Sequence, residues 1–335
     1  MIAVFLLGYA TALAFTAPRV LSASWTTRHP RAGLLSWHVV VGTVLASAVA
    51  AALLAAHDAW KPLAATILRA DLGADSHPSL GAAVLGHEWN ASLIVVFALS
   101  VRVLMKAVRR VRVNGDERVH IRSAISALGP SALDVPYRDV TVIDLAEPTA
   151  FCVPGRLPLI VLSNSALTRL TPEQVHAVVA HERAHLEHRH AHAATWAAVL
   201  ADSFRRWDLV QSYARSVPLL QEMHADDLAA RATTSRVVTA SLLALSQGTA
   251  PGALAMSGGN IAARAIRLLH PQPRSRRPLL RVGAGLGIVL GIPIVLFAGP
   301  GLQAVATDHH FEPGQGAPAQ ASAPMSGGTS TFLTL

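Results

Sequence analysis

Residues 178–190 read VVAHERAHLEHRH and put four histidines and two glutamates into thirteen positions. The residues just before them announce a helix: Thr171 is placed as N-cap, Pro172 at the first helical position, and Gln174 completes a T-x-x-Q capping box. Val175, Val178, Val179 and Leu186 give that helix an apolar stripe. On it, His181 and His185 lie one turn apart on one face, so both imidazoles reach a single ion. Glu182 sits beside them, close enough to take a proton from water at that ion. Two histidine ligands, a glutamate base and an open coordination position make up the zincin arrangement. With 16 histidines in the chain, an HExxH arises by chance in roughly 2% of such compositions, so the motif needs a companion.

A catalytic zinc needs a third protein ligand. The metzincin pattern would put a histidine six residues after His185, but Ala191 stands there, and His188 occupies the intervening glycine position. The gluzincin pattern takes a glutamate from a later helix. Glu222 in QEMHADD fits it, and Asp226 lies one turn on, where it can accept the N–H of a liganding histidine and fix its orientation. His188, His190 and His192 find no such support and read as surface or membrane-proximal side chains. His224 reads equally as an oxyanion stabiliser or a solvent-facing residue, and Cys152 as a small core residue.

The chain of 335 residues is 52% hydrophobic and only 14% charged, which points to a membrane. Four stretches have the length to cross a bilayer of about 30 Å: residues 1–17, 32–57, 82–105 and 282–307. The third is the weakest, because His87 and Glu88 lie inside it; both read as outer-interface residues. The first lacks the basic start of a signal peptide and reads as a true span. Arg19, Arg28 and Arg31 follow span one, Lys106, Arg109, Arg110 and Arg112 follow span three, and Arg274, Arg276, Arg277 and Arg281 precede span four. The positive-inside rule then sets both termini outside and the segment between spans three and four in the cytosol. The net charge of +8 is accounted for by these membrane-flanking arginines, so direct nucleic-acid binding is not expected. The single cysteine excludes an internal disulfide and suits a cytosolic domain, and the preponderance of arginine over lysine hints at a GC-rich bacterial genome, so the expected location is a bacterial inner (plasma) membrane.

In the soluble part, residues 118–129 read as a short helix, 140–144 and 157–163 as strands, and 191–204 as a helix too short to span. A further helix begins near Pro218, and residues 235–245 extend the set. The expected fold is a mainly α membrane protein: four transmembrane helices with an α+β, gluzincin-like zinc peptidase domain inserted between spans three and four. Its segments are 1–106 (three-span membrane domain), 107–281 (cytosolic peptidase), 282–307 (fourth span) and 308–335, a Gly-, Pro-, Ala- and Ser-rich tail expected to be disordered.

HERAH at 181–185, EMHAD at 222–226 and the upstream AFCVPGRLPLIVLSNSALTRLTPEQ, set between spans three and four, together resemble the BlaR/MecR-type membrane metallopeptidases. The motif-level likeness covers residues 145–230. It implies His181, His185 and Glu222 as ligands of one Zn2+ per chain, Glu182 as general base and Asp226 behind a ligand. It also implies that the strand at Leu159, Ile160, Val161 and Leu162 pairs with an extended substrate, and that the substrate is a winged-helix repressor of the BlaI/MecI type. The large extracellular sensor domain of the antibiotic receptors has no counterpart after span four. Two rivals share parts of the pattern: a quality-control peptidase of the HtpX/Ste24 type, and a receptor whose zinc domain binds a regulator without cutting it. An intramembrane protease is disfavoured, because Arg183, Glu187 and Arg189 crowd the motif with charge.

Overall fold

The structure, a computed structural model, describes residues 2–71, 80–129, 135–246, 261–270, 283 and 285–295, the side chains of 55–93 excepted. Its first two long helices, α1 (Ile2–Leu21) and α3 (Pro30–Asp71), form a hairpin joined by the five-residue α2 (Ser24–Arg28). Ile2–Leu21 and Pro30–Leu54 are long and apolar enough to cross a membrane, and among the described residues these are the two stretches that qualify. Of the expected third and fourth spans, the third falls within α4 (Leu80–Leu128), much of it among side chains outside the described set. The fourth is represented by an eleven-residue helix over Gly285–Val295, the remainder and the tail lying outside the described residues. The Tyr9 hydroxyl donates to the Val289 carbonyl at 2.8 Å and ties that helix to α1.

α4 corrects the expectation of a separate short helix at 118–129. It runs unbroken for 49 residues, because the basic run between the apolar and polar halves contains no proline and only one glycine, Gly115, so nothing stops the helix. The boundary expected at 106/107 therefore falls inside one continuous helix. Its polar half reaches α7 (His190–Ser203), where Asn114 Nδ2 donates to Thr195 Oγ1 at 3.0 Å.

Three strands follow: β1 (Val140–Ile143), β2 (Ala150–Val153) and β3 (Leu159–Ser163), in the order β1-β3-β2. β2 was not foreseen, being four residues without alternation. β3 pairs parallel to β1 and antiparallel to β2, so both of its edges are taken, and Ile160, Val161 and Leu162 are fully buried. This overturns the expectation that Leu159–Leu162 offers an edge to substrate, since a central strand has no free backbone donors or acceptors left for an incoming chain. The edge strand on that side is β2.

α5 (Asn164–Arg169) leads to α6 (Pro172–Glu187), which starts with the expected cap: Thr171 accepts from the Gln174 backbone N–H at 3.3 Å and Gln174 Oε1 accepts from the Thr171 N–H at 2.9 Å. α8 (Asp208–Ala232) begins ten residues before the expected start, with Pro218 in its interior. The apolar stripe Leu209, Val210, Tyr213, Val217 and Leu220 is buried on both sides of the proline, and that packing outweighs its missing N–H. α9 (Ser235–Ser246) and α10 (residues 261–269) complete the described helices of this part.

The largest core joins the hairpin to the helices that follow the sheet: Ala10, Ala17 and Leu21 of α1 and Trp37, Val40, Val41 and Val44 of α3 pack against α7 and the α8 stripe. The approach is close at Gly33. A Cβ there would lie 2.9 Å from Thr26 Cβ and 3.2 Å from Leu220 Cδ1. A glycine lets α3 approach α8 two residues before Glu222.

Candidate metal centre

α6 and α8 cross so that the HExxH face of one meets the ExxxD face of the other. His181 Nε2 and His185 Nε2 are 3.2 Å apart, His181 Nε2 lies 3.5 Å from Glu222 Oε2, and His185 Nε2 lies 3.4 Å from Glu222 Oε1. A tetrahedral zinc with bonds of about 2.0–2.1 Å needs ligand atoms about 3.3 Å apart. Two imidazoles and a carboxylate at that spacing fit such an ion, and this is the one group of three metal-type ligands among the described residues. Glu182 and Asp226 line the same cavity of about 170 Å³ as His181 and Glu222.

Behind His181 lies a charged layer. Its Nδ1 is 3.2 Å from Asp226 Oδ1, the placement that orients a liganding histidine. Asp226 is fully buried and gripped in a fork by Arg264 of α10, with Nε to Oδ2 at 2.8 Å and Nη2 to Oδ1 at 2.7 Å. The third nitrogen, Nη1, holds Glu222 Oε2 at 2.8 Å, so one guanidinium fixes both carboxylates of the ExxxD pair. Arg264 carries no signal in the sequence, since it stands 38 residues beyond Asp226 with no motif around it. Burial works against the charge on His181, but hydrogen bonds to Asp226 and Glu222 outweigh it and raise its pKa to about 9. Burial likewise opposes the Glu222 charge, and His181 and Arg264 override it to hold the carboxyl near 2.

Behind His185 lies a neutral layer. His190 Nδ1 is 3.1 Å from His185 Nδ1, its carbonyl accepts from Gln221 Nε2 at 2.8 Å, and its Nε2 is 3.4 Å from His224 Nδ1. His190 is 4% exposed, which corrects its reading as a surface residue: α7 turns back after the left-handed Arg189 and carries it under His185. His188 and His192 are exposed, as expected. His224 is buried against His188 and His190, so it neither faces solvent nor stands among the ligand atoms. Burial pushes His185 down to about 4 and His190 to about 3, so both are neutral near pH 7.

Glu182 projects into the cavity outside the ligand set, and burial pushes its carboxyl up. The thiol of Cys152, on β2, stands beside it. Cys152 packs half-buried against the core of β3 and α6, as expected, and is also a neighbour of the candidate base; burial together with Glu182 raises its own pKa to about 12.

No solved structure matches the chain. Residues 116–277, which hold the whole sheet and every residue of this centre but none of the α1–α3 hairpin, match the sequence profile of Peptidase family M48, a family of zinc metallopeptidases.

Proposed function

We propose that the chain is a membrane-bound zinc endopeptidase acting at the cytosolic face, with His181, His185 and Glu222 as the metal ligands and Glu182 as the proton carrier. The observation that carries this reading is the spacing of three donor atoms at the edges of a tetrahedral ion, with a buried carboxylate in the same cavity outside the donor set. Zinc bound there would supply a Lewis acid for the scissile carbonyl and a more acidic water. Glu182, its pKa raised by burial, takes a proton from the attacking water and returns it to the leaving amine. Asp226 and Arg264 keep His181 and Glu222 in place. Among the described residues β2 pairs only with β3, so its other edge supports an added substrate strand beside Cys152 and Glu182.

A winged-helix repressor of the BlaI/MecI type is the substrate that the likeness of the 145–230 segment supports. A quality-control role like that of HtpX/Ste24, on damaged membrane proteins, is supported as well by the M48 match. Glu182→Ala in the full chain is expected to keep about one zinc per chain while cleavage falls by about 10²–10⁴-fold. A variant that stays active sinks the mechanism. Affinity capture on Glu182→Ala followed by mass spectrometry then separates the substrates: one trapped repressor, many membrane proteins, or a partner that wild type also leaves uncut.

A further inference from the structure

On the side of α8 away from the metal ligands, α2, the C-terminal end of α8 and α10 enclose a cavity of about 620 Å³. Among the described residues its wall carries three guanidinium groups, from Arg28, Arg231 and Arg267, against the single carboxylate of Asp227. Asp227 is already committed, accepting from Arg267 Nη1 at 2.9 Å. Arg267 gives its Nη2 to the Met223 carbonyl at 2.8 Å, and its Nε is buried with no hydrogen-bond partner among the described residues. Arg28 and Arg231 are exposed, and among the described residues neither has a carboxylate at ion-pair distance. The cavity is thus two positive charges in excess, with guanidinium forks whose geometry matches phosphate oxygens.

Its place in the molecule narrows the ligand. α2 is the connection of the α1–α3 hairpin, so whichever way two membrane-crossing helices are inserted, Arg28 lies at a membrane face. Arg19 in the last turn of α1 and Arg31 at the start of α3 add to the positive charge there. Phosphate is concentrated at that depth as lipid headgroups, and basic pockets beside membrane helices attract the anionic ones. We infer that the cavity between α2, α8 and α10 binds the phosphate of an anionic phospholipid. The site is separate from the peptidase chemistry, although Arg267 stands one turn from Arg264 on α10, so the headgroup and the metal centre share a helix.

The test uses the full chain in nanodiscs of phosphatidylcholine, alone or mixed with phosphatidylglycerol, with the lipid retained after release into the gas phase counted by native mass spectrometry. Wild type is expected to retain phosphatidylglycerol in preference to phosphatidylcholine. The double variant Arg28→Glu/Arg231→Glu is expected to lose that retention by at least about tenfold. Arg169→Glu, the same charge change on exposed α5, leaves it unaltered, and zinc content stays equal in all three. Should the double charge reversal fail to fold, Arg28→Gln/Arg231→Gln gives the same comparison with a smaller loss. Retention unchanged in the variants overturns the proposal. So does inorganic phosphate binding wild type, followed by phosphorus NMR, with no preference for phosphatidylglycerol, which would assign the cavity to a soluble anion.

Discussion

His181 and His185 leave one helix a turn apart, yet a buried carboxylate and guanidinium stand behind the first and another histidine stands behind the second. On the α8–α10 side the far nitrogen meets full negative charge, which holds a proton on His181 until a metal displaces it. On the α7 side it meets a neutral ring. Once His185 Nε2 is a ligand, its proton must sit on Nδ1 and be donated to His190 Nδ1, which sends the His190 proton to Nε2 and on towards His224. The charged layer therefore secures affinity and fold, while the neutral layer fixes a tautomer without adding charge.

That contrast is most strongly broken at Arg264. Arg264→Ala leaves the buried Asp226 and Glu222 to share the single positive charge of His181 and is expected to cost about 3–5 kcal/mol, read as a lowered thermal midpoint of the metal-free protein. Arg264→Lys, a point charge that cannot serve both carboxylates, should recover only part of it. The two orienting residues come next. Asp226→Asn and His190→Ala are each expected to weaken zinc binding by about 10- to 100-fold in competition with a chelator. Asp226→Asn should be the more damaging, because it also leaves Arg264 partly unpaired. Equal losses would mean that the two layers do the same job.

The sides also differ in their response to pH. A pKa raised from 6.5 to about 9 gives metal-free His181 a stabilising contribution that is complete below about 6.5 and lost as pH rises through about 9. Chelated protein should therefore lose thermal stability over that window, while zinc-loaded protein should not. Zinc uptake near pH 7 should release about one proton, measurable by calorimetry in buffers of different ionisation heat, because His185 is already neutral. The smallest effect is expected at Gly33→Ala, where the new methyl meets Thr26 and Leu220 and costs about 1 kcal/mol in thermal stability, with the zinc affinity changing less than in His190→Ala.

Much of the charged layer could be read along the chain, since i, i+4 spacing places His181 with His185 and Glu222 with Asp226 on single helix faces whatever the rest of the protein does. The neutral layer could not. His190 follows the end of α6, and only the left-handed turn at Arg189 brings it back beneath His185. Cys152 and Arg264 carry no local signal either; one is a neighbour of Glu182 through sheet pairing and the other reaches Asp226 from a helix 38 residues away. Leu159–Leu162 was correctly placed in a strand but given the wrong edge, because strand order depends on β2, whose four residues have no periodicity to betray them.

By itself the sequence determined the helix that carries HExxH, its cap, the partner ExxxD and the apolar lengths of the hairpin. All of these follow from periodicity and spacing within one element, where the backbone fixes which side chains share a face. Tertiary structure alone decided that α6 and α8 meet at a separation matching one tetrahedral ion, that Arg264 clamps both carboxylates, that β3 is the central strand, and that arginines from α2, α8 and α10 converge on one cavity. These depend on contacts between distant segments, which packing and charge compensation select and no local pattern encodes.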